Sequence, residues 1–415
     1  MPSRYNLRIT GTGKKALFLY KKDGMNMIRQ AYLDALEPRL LNLFEYLHEN
    51  PEPSWEEWET TKYLAQLLAD EGYEPQLFEN SPGLYVEIGS GAPVIGLRTD
   101  IDSLFQEVDG VHKANHSCGH DGHMTMAVGV LLMLKKLKET QDFTLQTGGT
   151  IRVIFQPAEE KGNGALAMVE RGLIDDIDYL FGVHVRPIQE LPVGQHSPAL
   201  YHGASMMVQC EIYGEEAHAA RPHLGKNAIE IGGSVIEALK TIRVDTRIPW
   251  SVKVTKFSAG VGHGNTIPGK AVLTMDARAQ TNAAMEQLDV GIQRAIRSIR
   301  EMYDAQINAK VMLNIPAAEV DDEAEEILRR SIVQSVGDKH LAEPVVTPGG
   351  EDFHFYTKMR PNVKAAMLGL GCGVTPGLHH PHMKFDHAQL INGVEILTNT
   401  VINAMQYAKM NAMNV

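Results

Sequence analysis

Apolar residues in the first part of the chain recur at helical spacing. "MIRQAYLDALEPRLLNLFEYLHEN" predicts a helix that Pro38 kinks or splits. In "PEPSWEEWETTKYLAQLLADEGY", Ser54 and Glu57 have the S-x-x-E spacing of a capping box ahead of a second helix, and Gly72 stops it. The pattern then changes to apolar runs of strand length: "LYVEIG", "PVIGLRTD", "TIRVIFQP" and "YLFGVHV". Helical patterns over 121–138 and 163–172 separate several of them. Strands alternating with helices predict an α/β fold with a mostly parallel sheet.

From Ala204 the rhythm differs. "SMMVQCEIYG" reads as a strand, "NAIEIGGSVIEALKTI" as a helix, and "WSVKVTKFSAG" and "KAVLTMDARAQ" as strands. "AAMEQLDVGIQRAIRSIREMYD" is a helix and "AKVMLNI" a strand. The order βαββαβ is that of a ferredoxin-like unit. After Pro316 the α/β pattern resumes with a helix over 321–336, the strand "VKAAMLGLG" and a final helix from 387. The chain therefore divides into 28–203, an insert at 204–315, and 316–415. The first and last segments form one discontinuous α/β domain. Residues 1–27 read as a leader outside this pattern, with Met25 and Met27 as alternative starts.

Composition narrows the function classes. The 415 residues carry a net charge of −12, which disfavours a nucleic-acid partner, because such binding relies on Lys and Arg at phosphates. No apolar run approaches the roughly 20 residues of a spanning helix, so no membrane partner is expected. "ALFLY", between two Lys pairs, is too short for a secretory signal. Three cysteines, Cys118, Cys210 and Cys372, make no disulfide framework and fit a reducing, cytoplasmic setting.

The candidate chemistry lies at strand ends. "VIGLRTDID" delivers Asp100 and Asp102, "IRVIFQPAEE" delivers Glu159 and Glu160, and "YLFGVHV" delivers His184. "NHSCGHDGH" puts His116, Cys118, His120, Asp121 and His123 at the start of a helix. Ligands of open α/β sheets bind beyond the carboxyl ends of the strands. Each group alone has an ordinary explanation: an N-capping Asp, a solvated Glu pair, a core histidine, a small buried thiol. A structural zinc is the ordinary explanation of the cluster, but C-x-H lacks the paired C-x-x-C spacing of such sites. Four segments converging on one rim favour a metal centre.

The ordered set "SCGHDGH", "FQPAEE", "GVHV", "EEAHAARPHLGKNAIE", "GNTIPGKA", "GGEDFHFY" and "LHHPHMKFD" resembles the M20 metallopeptidase superfamily. The similarity is to its Cys-containing branch, amidohydrolases of N-acyl amino acids and auxin conjugates. It covers nearly everything from residue 28 onward. The resemblance implies a two-domain architecture, a catalytic α/β domain carrying an inserted lid or dimerisation domain, and two divalent metal ions. By motif the ligands are Cys118, His120, Glu160, His184 and His379. This donor set suits Zn²⁺, with Mn²⁺, Co²⁺ or Ni²⁺ as alternatives. His380 follows His379 where relatives usually carry a small residue, so the last ligand is either of the two, and the Leu-His-x-Pro register favours His379. His123 matches the motif as a supporting residue rather than a ligand. "RTDIDSLF" also departs from relatives and is expected to reshape the pocket wall.

The implied reaction is amide hydrolysis, with Glu159 as general base toward water and general acid toward the leaving amine. Asp102, and Asp100 with it, would orient ligands. The resemblance gives His218 the role of a lid histidine that reaches the other subunit's site and stabilises an oxyanion, and Asn265 that of a substrate contact. Arg278 is either a partner for a substrate carboxylate or a solvated strand arginine. Glu351 sits at a helix start, where a carboxylate is favourable on dipole grounds alone. A small N-acyl amino acid or amide as substrate and a homodimer formed through the lid complete the expectation. The alternatives are a dipeptidase, an N-acetyl-diaminopimelate deacetylase, and an inactive small-molecule-binding protein on the same fold.

Overall fold

The computed structural model describes residues 25–140, 148–260 and 263–413. The leader up to residue 24 lies outside the described residues. The chain opens with α1 (Met25–Glu49), which runs unbroken through Pro38. One face of this helix, with Leu33, Leu36, Leu40 and Leu47, is buried in the main core. α2 (Trp58–Asp70) follows, and Gly72 just beyond it takes a positive φ of 83°. The expected capping box does not form: Ser54 and Glu57 are both buried and turned elsewhere, and the Glu52 carboxylate instead accepts the Glu59 and Thr60 amides of the first turn, at 3.2 and 2.7 Å. Then come β1 (Leu84–Ser90), β2 (Val94–Asp100), α3 (His120–Glu139), β3 (Gly149–Gln156), α4 (Gly164–Glu170) and β4 (Tyr179–Pro187).

Residues 204–315 build a separate sheet from β5 (Ala204–Tyr213), β6 (Trp250–Ala259), β7 (Lys270–Ala279) and β8 (Gln306–Ile315). Its order is β6-β7-β5-β8, antiparallel throughout, the arrangement that βαββαβ connectivity produces. α5 (Ala228–Leu239) and α6 (Asn282–Tyr303) cover one face and share a core with it, including Val208, Ile212, Leu273, Leu288 and Ile292. Alternate residues of β5 and β7 are buried, as a half-covered sheet requires. The return to the large unit runs through α7 (Asp322–Val336), α8 (His354–Met359), β9 (Lys364–Val374) and α9 (Leu390–Met413).

The large sheet is mixed. β3, β2, β4 and β9 lie side by side and parallel. Antiparallel β1 and Gln76–Leu77 extend one edge, and His196–Ser197 the other. Every residue of β2 and β3 is buried, because helices cover both faces. α3 is buried on all sides from His120 to Leu134 and packs between the sheet, α1 and α9. The parallel strands all end at the same rim, where the chain segments carrying the polar residues begin. Among the described residues no helix is long and apolar enough to cross a membrane.

Candidate metal centre and catalytic cleft

At that rim lies a cleft of about 570 Å³. The large unit lines it with Cys118, Glu159, Glu160, His184, Arg186, His202 and His379, and the inserted sheet adds Ser205, Arg278 and Leu313. Gly119 makes the turn that delivers Cys118 and His120 possible. Its φ is 92°, and a Cβ there would sit 2.5 Å from a Val185 methyl. α3 begins at the next residue, so its buried length anchors His120.

The ligand-type side chains meet in two overlapping groups. Cys118, His120 and His184 offer donor atoms within 4.8 Å of one another, and so do Cys118, Glu160 and His379. Cys118 Sγ lies 3.6 Å from His184 Nε2. The other nitrogen of His184 donates to the Val185 carbonyl at 2.7 Å, which leaves Nε2 free to face the thiol. His120 Nδ1 is held by Asp102, at 2.9 Å from its carbonyl and 3.1 Å from Oδ1. His120 Nε2 and Glu160 Oε1 are buried without a hydrogen bond, 3.9 Å apart. Buried polar atoms are normally paired. Two buried ligand atoms without a hydrogen bond, on side chains that each group with the Cys118 thiol, fit a cation between them. The donor set of thiolate, imidazoles and carboxylate is likewise that of a divalent transition metal.

Both His379 and His380 are exposed, but His379 Nε2 lies 3.4 Å from Glu160 Oε1, whereas His380 Nδ1 accepts the His382 amide. The backbone sets this choice: His379 has a φ of 63° and donates its amide to the Ser117 carbonyl at 2.7 Å. His123 is fully committed elsewhere. Its Nδ1 meets Asp100 at 2.7 Å and its Nε2 accepts the Val185 amide at 3.0 Å, which leaves no lone pair for a metal. His116 is buried with neither ring nitrogen hydrogen-bonded, and burial pushes it down to about 4.

The carboxylates differ in surroundings. Asp102 Oδ2 accepts both the Ser54 hydroxyl at 2.6 Å and the Glu160 amide at 3.0 Å. Asp102 is buried, but His120 and Ser54 outweigh desolvation and hold its pKa low. Glu159 is different: burial, then Glu351, Glu160 and Asp352, raise it well above the usual carboxylate range. Its Oε2 lies 4.0 Å from His120 Nε2. Burial also raises the Cys118 thiol, with Glu160 adding to the effect.

Sequence inspection missed the group that balances these charges. Arg98, fully buried in β2, contacts Asp100 at 2.7 Å, Asp352 at 2.7 Å and Glu351 at 3.1 Å, and donates to Gln156 at 2.8 Å. The available signal was an arginine within an otherwise apolar strand, since a buried charge must be paired. Nor did any motif hint that His202 and His354 join by a 3.0 Å hydrogen bond beside the cleft.

The lid-type residues divide. Arg278 lines the cleft and is paired with Asp276 at 2.9 Å. His218 and Asn265 do not line it. They share a small two-stranded ribbon in which Ala217–His218 pairs with Thr266–Ile267 and the Asn265 carbonyl accepts the Ala219 amide.

Comparison with known proteins gives concordant relatives. The family model described as peptidase family M20/M25/M40 matches residues 96–403. N-acetylcysteine deacetylase of Bacillus subtilis is 30% identical over 86% of this chain and 94% of its own length. Hippurate hydrolase of Campylobacter jejuni is 31% identical over 81% of this chain and 89% of its own. The crystal structure of a Bacillus subtilis dinuclear metal-binding peptidase of the M20 family superposes with a TM-score of 0.72. It is 26% identical and covers 90% of this chain and 99% of its own.

Proposed function

The chain belongs to peptidase family M20/M25/M40, and on that premise we propose that it is a metal-dependent amidohydrolase cleaving N-acyl amino acids or related small amides. The observation that carries this reading is the convergence of Cys118, His120, Glu160, His184 and His379 around two buried, unpaired donor atoms, with Glu159 at the edge of the group. The Bacillus subtilis neighbour is dinuclear, and Cys118, His120, Glu160, His184 and His379 would hold two divalent ions here. Thiolate and imidazole favour Zn²⁺, with Mn²⁺, Co²⁺ and Ni²⁺ next. When bound, the ions supply polarisation of the amide carbonyl and acidification of the attacking water.

The protein's own groups do the rest. Glu159 takes a proton from water and delivers it to the leaving amine. Its raised pKa brings it nearer to working pH, where a general base is most effective. Asp102 fixes the tautomer and direction of His120 and the backbone of Glu160. Arg278 reaches the cleft from the lid, placed for a substrate carboxylate.

His218 and Asn265, away from this chain's own cleft, are assigned to the neighbouring subunit's site in a homodimer. β6, an edge strand bearing the exposed Phe257, is the natural pairing surface. Three free, buried cysteines accord with a cytoplasmic setting. The test is an activity screen of metal-reconstituted protein on N-acetyl, longer N-acyl and aromatic N-acyl amino acids, with dipeptides alongside. Turnover of the N-acyl set is expected. Stoichiometric metal with no hydrolysis of any substrate would overturn the reading in favour of a binding protein.

A further inference from the structure

Ser54 and Glu57 have the spacing of a helix cap, yet both point into the framework behind the metal centre. Glu57 is fully buried, and its Oε1 accepts the amide of Ala158, 101 positions away, at 2.8 Å. Its Oε2 is buried with no hydrogen bond. Ala158 is equally buried and has a φ of 56°, the left-handed region that a residue with a Cβ enters only at a cost. It is the last residue before the Glu159–Glu160 pair. Beyond it both carboxylates come within 4.0 Å of His120 Nε2, Glu159 with Glu351 and Asp352 on its other side and Glu160 with Cys118 and His379 on its own. The turn is closed by Gly164 donating to the Ala158 carbonyl at 3.2 Å and Gly162 to the Glu159 carbonyl at 2.7 Å. Ser54 holds its far side through Asp102, which accepts the Glu160 amide. One short segment thus grips the turn on both sides of the reacting carboxylate.

We propose that Glu57 is a positioning residue: as a hydrogen-bond acceptor it holds Ala158 in the left-handed conformation and so sets the directions in which Glu159 and Glu160 leave the chain. The proposal rests on the amidohydrolase reading for the roles of those two residues. What the turn requires is an acceptor rather than a charge. Burial, with Asp102 nearby, raises Glu57 to about 8, so the group is mostly protonated at neutral pH and an amide oxygen can replace Oε1.

The experiment compares Glu57→Gln, Glu57→Leu, Glu57→Ala and the double variant Glu57→Leu/Ala158→Gly. Each is checked for folding by circular dichroism. Zn²⁺ affinity is read by competition with a chromophoric chelator, and kcat and KM are read separately. Glu57→Gln, the conservative variant, is expected to keep parental affinity and kcat. Glu57→Leu and Glu57→Ala are expected to lose about tenfold to a hundredfold in both, with KM little changed. Glycine at 158 enters the left-handed region without the Cβ penalty and is expected to recover up to about tenfold in the double variant. A folded Leu or Ala variant with parental affinity and kcat would overturn the proposal. So would a Gln variant that falls as far as Leu, or a double variant with no recovery. If the parent binds Zn²⁺ and hydrolyses no amide, the functional reading fails on its own, and the affinity series still decides the positioning role.

Discussion

Replacing Arg98 by Met should destabilise the protein by about 3 kcal/mol at pH 7, in the range found when one side of a buried ion pair is removed. Arg98 is fully buried and faces three carboxylates that have little access to water. Met keeps most of the side-chain length and removes the charge. Asp352 contributes little to the loss, because burial has already raised it to about 7 and it takes up a proton near neutrality. Asp100 dominates. Burial opposes its charge, but His120, His123 and Arg98 together hold it well below the usual range. Without Arg98 it would protonate, which caps its cost at the free energy of titrating a group of ordinary pKa near 4 at pH 7, about 4 kcal/mol. His120 Nδ1, 3.9 Å from Asp100, retains part of the field and brings the value down.

The sign of the pH dependence follows from that mechanism. A carboxylate with a depressed folded pKa contributes stability above its unfolded value and loses it as pH falls through the folded one. The variant forfeits this contribution, so its deficit against the parent should be largest at pH 7. It should shrink to about 1 kcal/mol at pH 5, one unit above the ordinary value. Urea unfolding of metal-free protein at both pH values, followed by the fluorescence of Trp55 and Trp58 in the large unit, measures it. A deficit below about 1 kcal/mol at pH 7, or one equal at the two pH values, would refute the account of Arg98 as the counter-charge of Asp100.

Three further outcomes are expected. Glu159→Ala should retain both metals and lose about a hundredfold or more in kcat, whereas Glu160→Ala should lose metal; metal content and turnover on the same preparation separate the two roles. Cys118 should resist thiol reagents with metal bound and react after chelation, while Cys210 and Cys372 change little, as mass-resolved labelling would show. A mixture of inactive Glu159→Ala and His218→Ala subunits should regain activity toward half per mixed dimer if His218 serves its neighbour. Verified subunit exchange without recovery would place His218 elsewhere.

The main strands and helices were legible because burial imposes its period on sequence. β2 and β3, covered on both faces, read as continuous apolar runs, and β5 and β7 as alternation. What escaped notice was short and non-local. The hairpin Leu104–Val108/Val111–Asn115 is largely exposed and has no apolar period to reveal it. The parallel pair Leu200–His202/Val345–Thr347 joins segments some 145 residues apart. The sheet is also less parallel than the alternation of elements suggested, because β1 enters antiparallel at an edge, where one strand's direction is unconstrained by a crossover helix.

The site shows the same division on a finer scale. Cys118, His120, Glu160 and His184 stand out because metal-type residues at strand ends are conspicuous whatever they touch. Their supports are not conspicuous, since each obeys a plausible local rule and is used by a distant partner instead. Ser54 and Glu57 fit a capping box, but their hydrogen bonds go to Asp102 and Ala158. Arg98 resembles a strand arginine, but Asp352 is 254 residues away. His379 and His380 are identical side chains, and a backbone hydrogen bond to Ser117 holds the first where its Nε2 faces Glu160. A buried polar group must find its partner wherever the fold brings one, so its role is fixed by tertiary structure. Where a local signal in this chain is overridden, as at Ser54 and Glu57, the side chain has been recruited to hold the turn that presents Glu159. Departures from local rules therefore point to the supports of the active site as directly as motifs point to its ligands.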